Sequence, residues 1–227
     1  MTERRHVLIT GATRGIGRAI ADELADQWHI LVGGRSADAV NAVVAELPSA
    51  EPFIANLTDE DETLRAAAQV HRLDALVHSA GISVLGRIID LTRREWRAQL
   101  ETNVIAVAEL TRLLLPRLRE SNGQLVTINS GSGLHTAPGN GSYSASKHAL
   151  VAFTDALREE ERGRVRVTSI HPGRVDTDMQ IAIQAELGHD YEPERYLAPG
   201  DVARTVALAL SMDPRANLDV VSVRPAR

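Results

Sequence analysis

A chain of 227 residues, 44 % of them apolar, can bury a sizeable core, and its formal charge of −5 argues against a broad nucleic-acid footprint. It has no cysteine, which excludes disulfides, thiolate catalysis and Cys-based zinc sites and fits a reducing, cytoplasmic setting. Met1 to His6 runs straight into a short apolar strand, so neither export nor a membrane span is expected.

Val7-Leu8-Ile9-Thr10 reads as a buried strand entering the glycine-rich turn Gly11-Ala12-Thr13-Arg14-Gly15-Ile16-Gly17, and a helix from Arg18 to Gln27 follows. Glycines let a phosphate approach the backbone, and the helix start offers free N–H groups and a positive dipole end, so this turn is a candidate pyrophosphate site. A plain strand-to-helix connection would look similar. A second strand, His29 to Arg35, ends about 20 residues beyond the turn, where a dinucleotide fold reads the adenosine ribose. Gly34-Arg35 stands there in place of an acid. With Arg14 it suits a 2′-phosphate, hence NADP(H) over NAD(H); both arginines also fit ordinary loop positions.

A helix from about Asp38 to Leu47 leads to a strand at Pro52 to Ala55, then to an acidic helix start for which Thr58 is the expected cap, with Asp61 as its partner. Leu73 to His78 is a fourth strand, followed by Ser79-Ala80-Gly81. Strands alternating with helices at this spacing predict an α/β, doubly wound parallel sheet of about seven strands with helices on both faces, and ligands at the carboxyl ends of the strands. Thr92-Arg93-Arg94-Glu95 is a capping box opening a long helix whose expected apolar stripe is Leu100, Val104, Val107, Leu114 and Leu118. Asn103 sits inside that helix, where a buried amide needs partners.

A fifth strand, Leu125 to Asn129, ends at Ser130, and a loop from Gly131 to Gly141 feeds a helix beginning Gly-Ser-Tyr-Ser-Ala-Ser-Lys-His. Tyr143 and Lys147, one turn apart, share a helix face and suit acid–base work. Lowering a tyrosine from about 10 to neutrality needs roughly 4 kcal/mol of phenolate stabilisation, for which the Lys147 cation is the source at hand. An aromatic and a solvated lysine at a helix start would read the same way. Val165 to Ile170 is a sixth strand, Asp201 to Met212 a helix and Val220 to Val223 a last strand. Between them, Asp178 to Pro199 is irregular. Met179, Ile183 and Leu187 recur there at a four-residue spacing, which predicts a short amphipathic helix walling the pocket as a lid. No linker or repeat divides the chain, so residues 1–227 are read as one domain. His135, His148, His171 and His189 share no His-x-x-x-His spacing, so no metal is expected.

In this order and spacing, Thr10-Gly-x-x-x-Gly-x-Gly17, Asn103, Ser130, Tyr143-x-x-x-Lys147 and Pro172-Gly173 with Thr177 resemble the compact short-chain dehydrogenase/reductase family over residues 5–177. That resemblance implies an oxidoreductase acting between NADP(H) and a small carbonyl or alcohol, with Tyr143 as general acid/base, Lys147 lowering its pKa and holding the nicotinamide ribose, Ser130 donating to the substrate oxygen and Asn103 holding a water. It further implies cofactor contacts from Gly11, Thr13, Arg14, Gly15, Ile16, Gly17, Arg35, Asn56, Leu57, Ser79, Ala80, Gly81, Pro172, Gly173, Val175 and Thr177, and a homodimer or homotetramer. Two positions depart from the family pattern: Asn56 stands where Asp is usual, and Ser79 where Asn is usual. Both keep hydrogen-bonding groups. The alternative function is a non-catalytic dinucleotide sensor or scaffold on the same fold, which would be expected to lose Ser130, Tyr143 or Lys147; this chain keeps all three.

Overall fold

The computed structural model describes residues 4–226. Seven strands form one parallel sheet: β1 (Arg5–Ile9), β2 (Trp28–Gly34), β3 (Ala50–Ile54), β4 (Ala75–His78), β5 (Gln124–Ile128), β6 (Arg166–Pro172) and β7 (Val220–Val223). Their order across the sheet is β3-β2-β1-β4-β5-β6-β7, with the reversal between β1 and β4 where a doubly wound fold opens its ligand crevice. The expected fold class is therefore the one observed.

Because successive side chains of a strand face opposite ways, the near-continuous apolar runs of β1, β4 and β5 feed two cores. Val7, Ile9, Val77, Val126 and Ile170 meet α1 (Gly15–Leu24), α2 (Ala37–Glu46) and α8 (Pro199–Ser211) on one face. Leu8, Leu31, Leu76, Leu125 and Val167 meet α3 (Glu60–Ala68), α5 (Ala106–Glu120) and α6 (Gly141–Glu160) on the other. Each fully buried leucine or valine contributes on the order of 1.5–3 kcal/mol. The edge strand β7 alternates exposed and half-buried residues instead.

Two local expectations are corrected. Asp59, not Thr58, caps α3: its carboxylate accepts from the Glu62 N–H at 2.9 Å, while the Thr58 hydroxyl donates to Asn56 Oδ1 at 3.0 Å. The anion is the better partner for the positive end of the helix. The long helix is also not continuous. Its Thr92–Glu95 capping box opens α4 (Arg93–Leu100), but Glu101–Ile105 is a π-turn before α5, with the Ala106 N–H reaching Glu101 O. That extra residue rotates the inward face. Val107, Leu114 and Leu118 are buried as expected, but Gln99 just before the turn and Asn103 within it are buried where Leu100 and Val104 are only half-buried.

Candidate active site

The carboxyl ends of β4, β5 and β6 converge on the start of α6. Lys147 lies there, 6 % exposed, its ammonium donating to Ile128 O at 3.0 Å and standing 5.8 Å from the Tyr143 ring centre. Loss of water pushes the Lys147 pKa down to about 8. Desolvation likewise raises the half-buried Tyr143, opposed by a hydrogen bond from Ser130. Desolvation is the largest influence on the phenol in this arrangement. Tyr143 is held as a neutral phenol beside the serine.

Ser130 is fixed on several sides. Its N–H donates to Asn129 Oδ1 at 2.9 Å, its Oγ accepts from the Ser132 N–H at 3.1 Å, and its carbonyl is 2.9 Å from His171 Nδ1. His171 is buried, with Nε2 2.9 Å from Ser169 Oγ, and desolvation lowers its pKa. Its own carbonyl accepts from Arg224 at 2.7 Å, so the C-terminal tail braces the floor of the site.

Asn103 satisfies the demand for partners that its burial makes. Oδ1 accepts from the Ile82 N–H, and Nδ2 donates to Ile82 O, both at 2.9 Å, and also to Ser146 Oγ at 3.1 Å. Ser146 Oγ donates in turn to the Tyr143 carbonyl at 2.8 Å. Gln99, one turn before Asn103, holds Val84 N–H and Ile82 O at 2.7 Å each. Asn103 thus ties the loop after β4 to the Tyr143 helix. That loop carries Gly81, where an added Cβ would stand 3.2 Å from Asn103 Oδ1 and 4.0 Å from Lys147 Nζ.

The glycine turn presses against the same loop. Gly11 has φ +66°, and a Cβ there would lie 2.9 Å from Ala80 Cα, so both backbone conformation and close approach demand glycine. Thr10 Oγ1 accepts from the N–H groups of both Ser79 and Ala80 at 3.0 Å, so the bridge between the two loops is made by Thr10 and not by the Ser79 side chain. The start of α1 has no side-chain cap and no acid in its first turn, leaving its N–H groups free.

The residues expected to read the dinucleotide are less firmly held. Arg14 is paired with Asp178 at 3.1 Å, both largely exposed. Arg35 is exposed and makes no hydrogen bond or ion pair among the described residues. Gly34 before it is packed so tightly that a Cβ would meet Val40 at 2.7 Å and Thr13 at 3.0 Å. Asn56 is exposed, and its amide oxygen accepts from Thr58; Leu57 packs half-buried on the core. On the other rim, the Gly173 N–H donates to Val223 O at 2.7 Å and Val175 is buried opposite Leu197. Thr177 caps α7 (Asp178–Glu186), and its methyl group lies 3.5 Å from where a Cβ on Gly15 would be. The helix expected after Thr177 forms, but the side chains it buries are Gln180 and Gln184, while Met179 and Leu187 are 40 % and 51 % exposed.

With this geometry in place, comparison with known proteins is decisive. The family model for short chain dehydrogenases matches residues 5–188. The chain belongs to that family. It is 32 % identical over 226 residues to an uncharacterized oxidoreductase of Staphylococcus epidermidis, covering 96 % of each chain. It is 30 % identical to a serine 3-dehydrogenase of Agrobacterium fabrum, covering 96 % of this chain and 93 % of that one. Among solved structures, a variant of actinorhodin polyketide ketoreductase with NADPH superposes with a TM-score of 0.90 at 27 % identity, over 98 % of this chain and 96 % of the other.

Beyond the family pattern, sequence reasoning missed Gln99, Ser146, Arg224 and the structural use of His171. Gln99 had a signal, since it precedes Asn103 by four residues in a segment otherwise read as apolar. Arg224 had none, because its partner is a backbone carbonyl far away in the chain.

Proposed function

We propose that this chain transfers a hydride between NADP(H) and a small carbonyl or alcohol, with Tyr143 as the general acid and base. The observation that carries this reading is the neutral Tyr143 phenol hydrogen-bonded by Ser130, with the buried Lys147 ammonium on the same helix face. A nicotinamide dinucleotide suits the residues present. The uncapped, acid-free start of α1 suits a pyrophosphate, and the crowding at Gly11 and Gly81 leaves backbone rather than side chains along the crevice. Arg35, unpaired at the end of β2, suits a 2′-phosphate.

When bound, the dinucleotide supplies or accepts the hydride. In the reducing direction Tyr143 gives its proton to the substrate oxygen, and Ser130 donates a hydrogen bond to the same oxygen. The Lys147 charge then favours the phenolate that is left. Asn103 acts by holding the Ile82 loop and, through Ser146, the first turn of the Tyr143 helix. Thr13, Ile16, Gly15 and Gly17 line the pyrophosphate turn; Asn56 and Leu57 face the adenine side; Ser79, Ala80 and Gly81 form the floor; Pro172, Gly173, Val175 and Thr177 form the nicotinamide rim. The serine 3-dehydrogenase relative and the NADPH-bound ketoreductase support both the reaction class and the cofactor.

A homodimer or homotetramer belongs to the same reading: Ala145, Ala152 and Ala156 line an exposed stripe on α6 that could receive another subunit. No helix among the described residues is long and apolar enough to cross a membrane. The test is a panel of ketones, aldehydes and quinones with NADPH and with NADH, following the loss of reduced-nicotinamide absorbance. Turnover with NADPH on at least one substrate class supports the proposal, and a Tyr143→Phe enzyme as active as wild type refutes it.

A further inference from the structure

The opposite edge of the sheet holds a second cluster of chemistry-bearing groups. His6 on β1 and His29 on β2 are direct partners in the parallel register, and their rings lie 4.6 Å apart. Both share the sheet face of Leu8 and Leu31, and Glu51 on β3, paired with Leu31, shares it too. One ligand atom from each of the three lies within 4.8 Å of the others, and His29 Nε2 is 3.7 Å from Glu51 Oε1. Two ligands of a tetrahedral zinc at ordinary N and O bond lengths sit about 3.4 Å apart, so closing the set needs side-chain adjustments of about 1 Å or so.

We propose that His6, His29 and Glu51 form a binding site for a zinc-class divalent cation, tying β1, β2 and β3 together at their amino ends.

The surroundings are those a histidine ligand needs. His29 Nδ1 is 2.8 Å from Ser49 Oγ. A proton on Nδ1 given to Ser49 leaves the Nε2 lone pair facing Glu51, the outer-shell arrangement that fixes a ligating imidazole. The alternation of one chain segment therefore supplies both the orienting Ser49 and the ligand Glu51. The backbone of His6 is clamped by Asp74, whose carboxylate accepts the His6 N–H at 2.8 Å and whose own N–H donates to His6 O at 2.9 Å. Nearby positive charge is engaged elsewhere: Arg72 pairs with Asp74 at 3.2 Å, and Arg5 stacks 4.3 Å over Trp28. Two imidazoles and one carboxylate favour zinc over magnesium or calcium, with water completing the shell. Sequence spacing could not show this set, because its members are 22 or more residues apart and meet only through strand pairing.

The test strips the full chain with a chelator and titrates zinc against a competing dye, with thermal unfolding in parallel. Wild type should bind one zinc per chain at micromolar or tighter affinity, and saturation should raise its Tm by roughly 5 °C. Magnesium should do neither. His29→Ala and His6→Ala should each weaken binding at least roughly tenfold, as should Glu51→Gln, which lies on the exposed rim and leaves folding intact. Circular dichroism checks the fold of the histidine variants. Absence of zinc binding by wild type at about 100 µM, or undiminished affinity in folded Glu51→Gln and His29→Ala proteins, overturns the proposal.

Discussion

The two sides of the crevice are built differently. Around Tyr143, the polar groups are buried or half-buried and held by the surrounding protein: Lys147 by the Ile128 carbonyl, Asn103 by Ile82 and Ser146, Ser130 by Asn129, Ser132 and His171. Around the end expected to take the adenosine, Arg14, Arg35 and Asn56 are exposed, and their side chains have one partner residue or none among the described residues. Burial shifts proton affinities, and solvent exposure leaves them alone. The buried side is therefore where a substitution changes chemistry, and the exposed side where it changes only which dinucleotide is preferred and how tightly.

The largest effect should come from Tyr143→Phe. Losing the acid while keeping the ring should cut turnover at least roughly 100-fold, with NADPH binding by fluorescence nearly unchanged. Loss of binding comparable to the loss of turnover would dissolve the distinction between the two sides.

Lys147→Met sharpens the same point through stability. The folded pKa of Lys147 is about 8 against 10.5 for the free side chain. Between those values the unfolded chain binds the extra proton, so wild-type stability should rise with pH from about 8 to about 10.5, by on the order of 3 kcal/mol from this group. Lys147→Met should lack that rise and, below pH 8, should unfold at higher denaturant than wild type while losing most activity. A variant less stable than wild type at pH 7 would mean that Lys147 holds the fold as well as the chemistry.

On the exposed side, Arg35→Ala removes one charge-assisted contact, worth about 1.5–3 kcal/mol. The KM for NADPH should rise roughly tenfold or more, and that for NADH should stay where it was. Equal losses for both cofactors would place Arg35 in general binding and not in phosphate selection.

Sequence reading worked best where one local rule decided the outcome. The strand–helix alternation, the Thr92 capping box and the one-turn spacing of Tyr143 and Lys147 depend only on neighbours in the chain. It failed where competition decided. Thr58 and Asp59 both suit a helix start, and the acid took the cap; the pairing of Arg14 with Asp178, 164 residues away, was likewise invisible to local rules. The π-turn at Glu101–Ile105 is a subtler case: one added residue turns Gln99 and Asn103 inward, and the reason lies in the loop backbone at Ile82 and Val84 that they satisfy. Similarly, α7 was expected from a four-residue apolar spacing, yet it docks through Gln180 and Gln184.

The smallest predicted effect tests what holds Arg14. Its pairing with Asp178 joins the glycine turn to the first residue of α7, but both side chains are about 70 % exposed, so the pair is worth at most about 1 kcal/mol. Asp178→Asn should leave Tm nearly unchanged. Freed from the carboxylate, Arg14 becomes available to the phosphates at the turn, so the KM for NADPH should fall, by no more than roughly two- to fivefold, and the change should fade as salt is raised. If Arg14 serves only to hold α7, the same substitution should instead speed amide exchange along Asp178–Glu186 and leave the NADPH KM unchanged or higher. The direction of the KM change thus decides whether Asp178 competes with the cofactor for Arg14 or uses it to keep α7 against the turn.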